Sequence, residues 1–143
     1  MPGSIQFFKA DIQFRFPQKS KIAEWINKVV RQSGRRVGAL NFVFCTDKFL
    51  LRINKEFLKH DFYTDIITFD DSENDVVGGE IYISIDRVRN NSETLGIAFH
   101  DELRRVIIHG VLHLLGHKDK TTAQKKQMRE KEEACLSLLR SST

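Results

Sequence analysis

What the chain lacks narrows the reading before anything it contains. It has only two cysteines, Cys45 and Cys135, without a C-x-x-C spacing, so neither a disulfide framework nor a thiolate metal knot is implied. Two prolines in 143 residues, with 41% hydrophobic residues, exclude a disordered or proline-rich chain. No apolar run approaches the roughly 20 residues that cross a bilayer. No charged-then-apolar leader opens the sequence. The expectation is a cytoplasmic protein with no membrane partner, folded as one domain over residues 1–143. Basic residues are missing from one stretch: residues 61–80 carry seven acids and no Lys or Arg. The remainder therefore holds 23 basic residues against 12 acidic ones, a balance that suits a polyanionic partner such as nucleic acid.

Apolar spacing supplies the elements. Ile5 and Phe7, then Ile12, Phe14 and Phe16, alternate loosely and read as one or two strands around a polar break at residues 9–11. Ile22, Trp25, Ile26, Val29 and Val30 recur at helical spacing between Pro17 and Gly34. Gly38 precedes a strand-like run from Leu40 to Cys45, and Thr46 suits the N-cap of a helix bearing Phe49, Leu50, Ile53 and Phe57. Ile66, Ile67 and Phe69 make a strand, and Gly78 and Gly79 introduce another through Ile81, Ile83 and Ile85. The acidic loop between them lacks the rest of a calcium-binding pattern and reads as a solvated connection. A helix from Ser84 or Asp86 runs to about Thr94, Gly96 interrupts, and a central helix starts near Asp101. Thr121 and Gln124 form a capping box for the last helix. That helix carries Met128, Ala134, Cys135, Leu136 and Leu139, with Lys125, Lys126, Arg129 and Lys131 in its first half. About four strands and five helices in mixed order predict a single α+β domain with a mixed sheet.

The chemistry concentrates in H-G-V-L-H-L-L-G-H-K-D, residues 109–119. His109 and His113 are four apart, so a helix places them one turn apart on one face. Their neighbours Val106, Ile107, Ile108, Val111, Leu112, Leu114 and Leu115 are apolar on nearly every side, the mark of a buried helix. Buried imidazoles need partners for both ring nitrogens, and a metal ion is one such partner. Gly116 ends the helix, after which His117 or Asp119 is within reach as a third ligand. The metalloprotease pattern H-E-x-x-H uses the same histidine pair with a glutamate base after the first one. Here that slot is Gly110, so the usual protease base is absent.

With the motif so placed, the sequence resembles the YbeY family, metal-dependent endoribonucleases of ribosomal RNA maturation. That family carries H-G-x-L-H-L-x-G-Y-D-H, matched here by His109, Gly110, Leu112, His113, Leu114 and Gly116. It also carries N-x-x-Y-R-x-x-D-x-P-T-D-V-L-S-F, in register with Asn54, Phe57, Asp61 and the run from Tyr63 to Phe69. A downstream G-D-I is mirrored by Gly79-Glu80-Ile81. There are two departures. The third family histidine falls on Asp119, preceded by Lys118 where the family has aspartate. The family arginine given a role in handling phosphate falls on Leu58, which cannot do that work.

The resemblance implies a metal-dependent endoribonuclease of single-stranded RNA, acting in 16S ribosomal RNA 3′-end processing and ribosome quality control. Its partners would be ribosomal RNA and the ribosome or ribosomal proteins. The implied site is a metal held by His109, His113 and Asp119 on the buried central helix, with His117 the rival third ligand and a metal-bound water as nucleophile. One Zn2+ is the expected ion. Two histidines and a carboxylate also suit Mn2+ or Fe2+, and the anionic ligand weakens the Lewis acid. Arg52, Lys59 and His60 are the candidates for binding substrate in place of the missing arginine, with Phe62 or Tyr63 stacking on a base. Two other functions compete: a zinc-dependent hydrolase of the peptidase kind, or a non-catalytic assembly factor with a structural metal.

Overall fold

The computed structural model describes residues 3–141, so residues 1–2 and 142–143 of the expected domain lie outside the described residues. Nine elements follow in order: β1 (Ser4–Lys9), α1 (Lys19–Gln32), β2 (Arg36–Cys45), α2 (Asp47–Leu58), β3 (Ile66–Asp70), β4 (Val76–Ser84), α3 (Ile85–Leu95), α4 (Phe99–Leu114) and α5 (Thr122–Ser141). The sheet order is β1-β2-β4-β3. β1, β2 and β4 run parallel, and β3 pairs antiparallel with β4. This is the expected α+β architecture with a mixed four-stranded sheet.

The alternation of side chains along the strands divides the interior in two. Leu40, Phe42, Phe44, Ile81 and Ile83 face the main core, where they meet Trp25 and Ile26 of α1 and Val106, Ile107 and Val111 of α4. Cys45 and Ile67 face the other way and pack beneath Leu50 and Ile53 of α2. The sheet thus lies between α2 on one side and the bulk of the helices on the other.

Several boundaries differ from those the sequence predicts. Strand structure does not extend to Phe16; β1 ends at Lys9. Asp11 then takes up the backbone N–H and hydroxyl of Thr46, at 3.0 and 2.5 Å, which pulls the chain out of the ladder. Phe14 and Phe16 still reach the core and pack on Phe44. β2 begins at Arg36 and contains Gly38, with its register shifting between Val37 and Leu40. Thr46 caps α2 as expected by accepting from the Phe49 N–H, and Ser84 caps α3 in the same way through Arg87. Gln124 and Thr121 exchange bonds of 3.1 Å each, the reciprocal cap that starts α5.

Candidate metal centre

α4 is buried on nearly every side: Leu103, Val106, Ile107, Ile108, Gly110, Val111, Leu112 and Leu114 are all enclosed. Gly110 is where the helix crosses the sheet. A Cβ there would lie 2.8 Å from Ile66 Cδ1 and 3.1 Å from Ile81 Cγ2, so the close approach requires glycine. The opening in this helix is at its two histidines, whose side chains keep 17% and 29% of their exposure. The helix ends in a Schellman turn. Gly116, at φ 99°, donates to His113 O at 3.0 Å, and His117 donates to Leu112 O at 3.0 Å. That reversal carries Asp119 back over the histidines.

Three ligand atoms converge there. His109 Nε2 and His113 Nε2 are 3.1 Å apart, and Asp119 Oδ2 lies 3.2 Å from the first and 3.4 Å from the second. Zinc bonds of about 2.0–2.1 Å at the tetrahedral angle would hold ligand atoms about 3.3 Å apart. The donor set and spacing therefore fit a divalent ion. Among the described residues these three form the group of His, Cys, Asp and Glu side chains able to hold one. His117 is not in it. It lines a separate recess beside Lys131, and burial first, then that ammonium, holds its imidazole below the usual value.

Behind the ligands lies a chain of charged groups that the sequence reading missed. Glu132 of α5 is 1% exposed, and its Oε2 sits 2.6 Å from His109 Nδ1. Its other oxygen accepts from Arg105 Nη1 at 3.2 Å. Arg105 in turn grips the fully buried Glu102 with two bonds, of 2.8 and 2.6 Å. A carboxylate that accepts a hydrogen bond from His109 Nδ1–H leaves the Nε2 lone pair free for a metal. Burial alone would raise the Glu132 carboxyl; contact with His109 and the Arg105 charge outweighs it and holds the group below its ordinary value. One sequence signal was present. Glu132 occupies an apolar stripe with Met128, Leu136 and Leu139, where an acid is out of place unless it is paired.

The ligands open onto a cleft of about 230 Å3 lined by Asp65, Arg105, Val106, His109 and Asp119. Arg105 is the cation in that lining. The candidates for substrate binding lie elsewhere: Arg52 rests over the Phe49 ring on α2, Lys59 is the left-handed C-cap of that helix, and His60 stacks on Phe62. Leu58, on which the resemblance places an arginine, is 38% exposed at the end of α2. Phe62 and Tyr63 stand out from the loop between α2 and β3 at 55% and 52% exposure.

The model of the family described as Endoribonuclease YbeY matches residues 5–140. The chain belongs to that family. Proteins named Endoribonuclease YbeY from Cytophaga hutchinsonii and Porphyromonas gingivalis W83 are similar to it throughout. The first is 48% identical over 136 residues, covering 94% of this chain and 95% of that protein. The second is 44% identical over 138 residues, covering 96% and 91%. The fold is also that of a Thermotoga maritima protein solved in solution, with a TM-score of 0.64 and 24% identity over 97% of this chain and 93% of that one. In this YbeY chain the group able to hold a metal pairs two histidines with the carboxylate of Asp119, and residue 58 is leucine.

Proposed function

We propose that this chain is a metal-dependent endoribonuclease that hydrolyses phosphodiester bonds in single-stranded RNA. Its place would be the 3′-end maturation of 16S ribosomal RNA and ribosome quality control, in contact with the ribosome or ribosomal proteins. The observation that carries the reading is the convergence of His109, His113 and Asp119 at the rim of a cleft, in a chain of the YbeY family. Two free thiols and no described helix long and apolar enough to cross a membrane agree with work in the cytoplasm.

His109, His113 and Asp119 would hold the ion, with Zn2+ the best fit to the ligands and Mn2+ or Fe2+ the alternatives. A divalent ion at that corner supplies Lewis acidity and the means to ionise a water near neutral pH. The protein's own groups do the rest. Glu132 fixes the ring of His109 and its tautomer. Arg105 has five N–H donors, of which Glu102 and Glu132 occupy three, so two remain for a phosphoryl oxygen in the cleft. It would take over part of the phosphate handling that the resemblance assigns to an arginine at residue 58. Arg52, Lys59 and His60, with Phe62 or Tyr63, would meet the strand farther along α2 and its loop, by charge and by stacking.

Gly110 argues against the peptidase reading, because the glutamate base of that motif is absent and one at this position would meet Ile66 and Ile81. His113→Ala is the direct test. The variant should lose stoichiometric metal and cleavage of a ribosomal RNA precursor while keeping its secondary structure. Undiminished cleavage by a nuclease-free preparation of it would refute the proposal.

A further inference from the structure

The cations that follow the histidine motif are not explained by a cut at the metal centre. Between Gly116 and Lys131 the chain carries Lys118, Lys120, Lys125, Lys126, Arg129 and Lys131 against Asp119 and Glu130. All six cations are exposed, while Asp119 turns inward onto the two histidines. Two of the six share one recess. Beside the bend between α4 and α5, a hollow of about 220 Å3 is lined in part by His117, Lys118, Gln124, Gln127 and Lys131. No carboxylate lines it, in contrast to the cleft on the ligand side, which has Asp65 and Asp119.

The polar groups of the recess are mostly donors. Arg36, Lys55, Arg87, Arg105 and Arg129 all have carboxylate partners. Among the described residues, Lys118 and Lys131 have none. Gln124 spends its amide oxygen on the N–H groups of Lys120 and Thr121, which leaves its NH2 to donate. Two ammonium groups and amide donors around one hollow repel each other until an anion arrives. The chain ties the recess to the ligands: Gly116, His117 and Lys118, which line it, are residues of the bend between His113 and Asp119.

We propose that this recess is a subsite for a backbone phosphate of single-stranded RNA, next along the strand from the phosphodiester presented to His109, His113 and Asp119. It deepens the reading of the site as an RNA hydrolase and rests on it. Recognition is by charge and is blind to base. The exposed Lys120, Lys125 and Lys126 continue the same positive surface around the bend.

The test is binding, measured apart from cleavage. Chelator-treated full-length protein is titrated with a short labelled single-stranded RNA by fluorescence anisotropy, across a series of salt concentrations. Lys118→Gln/Lys131→Gln is compared with the unaltered protein and with Lys28→Gln/Arg31→Gln on α1. Loss of one phosphate contact should flatten the dependence of log K on log salt by about 0.7 and weaken binding several-fold at low salt. The α1 pair should leave the slope unchanged. An unchanged slope in the recess variant overturns the proposal, and so does an equal loss in the α1 variant. Tighter capture of an acidic peptide than of RNA, abolished by the recess substitutions, overturns it in favour of a protein partner. Slope loss with no cleavage by the metal-loaded protein would sink the hydrolase reading and keep the phosphate site; cleavage with no slope change would do the reverse.

Discussion

Glu132 is the residue whose removal most sharply tests how the centre works. Its carboxylate accepts from His109 at 2.6 Å and from Arg105 at 3.2 Å, at a site that is 1% exposed. Glu132→Ala deletes two charge-assisted bonds, each worth about 1.5–3 kcal/mol. Arg105 keeps its double bond to Glu102, so no cation is stranded and the stability cost stays near the lower end, about 3 kcal/mol in all. The effect on metal is separate. Without an acceptor at Nδ1 the imidazole is free to place its proton on Nε2, the atom that faces His113 and Asp119. Loss of such a supporting carboxylate costs about 10–100-fold in metal affinity. Competition with a chromophoric chelator should show that loss in Glu132→Ala, and a smaller one in Glu132→Gln, whose amide oxygen still accepts. Nitrogen chemical shifts of His109 in the metal-free protein give the tautomer directly: Nδ1-protonated in the parent, mixed in Glu132→Ala. A merely structural Glu132 would lower the melting temperature of both variants and leave the tautomer and the chelator competition unmoved; that result would refute the reasoning.

Four further outcomes follow from the same geometry. Asp119→Ala should weaken metal retention far more than His117→Ala, since only the carboxylate meets the histidine pair; elemental analysis of the two variants gives the order, and the reverse order would transfer the third position to His117. Gly110→Ala should cost about 1–3 kcal/mol, seen as a thermal shift of several degrees, because the new methyl meets Ile66 and Ile81 within 2.8–3.2 Å; a neutral result would mean that α4 can lift from the sheet at no cost. Slight desolvation raises the carboxyl of the exposed Asp11, but its bonds to Thr46 outweigh this and hold it below its ordinary value of 3.8. Its contribution is therefore complete above that value and lost as the pH falls through the lower folded one, so an Asp11→Asn variant should show a flatter acid limb in denaturant titrations. Phe62→Ala should weaken binding of single-stranded RNA by about 1–3 kcal/mol if the exposed ring stacks on a base, and an unaltered anisotropy isotherm would remove it from the substrate path.

What was legible in the sequence was whatever depended on neighbours in the chain. The four-residue spacing of His109 and His113, the helix stop at Gly116 and the caps at Thr46, Ser84 and Thr121 are local, and each stands where its pattern puts it. The strands misjudged were those decided at a distance. Phe14 and Phe16 alternate as a strand should, yet Asp11 is claimed by Thr46, 35 residues on, and the ladder stops. Glu132 was missed for the same reason: its partner His109 is 23 residues away, and only the docking of α5 on α4 brings them together. Lys125, Lys126, Arg129 and Lys131 were visible as a basic run, but not the separation of Arg129, paired with Glu132, from Lys131, left in an unpaired recess.

The two departures from the family pattern make more sense together than apart. Against the motif the sequence resembles, Asp119 in place of a histidine would add one negative charge beside His109 and His113, and Leu58 in place of an arginine would remove one positive charge from the end of α2. The first change would make the centre less attractive to phosphate, and the second would do the same at the end of α2. Lys118 stands where the family has aspartate, so a single position on the bend restores two units of charge relative to that pattern, one residue from the ligand that lowered it. Arg105 supplies a second cation on the cleft side, held by two buried carboxylates rather than left free to swing. If the recess holds a phosphate as proposed, the attraction for RNA lies at the α4–α5 bend and not at the end of α2. Reversing the charge at Lys118 should therefore weaken RNA binding more than restoring arginine at Leu58 improves it, and a larger effect at residue 58 would place the main phosphate contact back on α2.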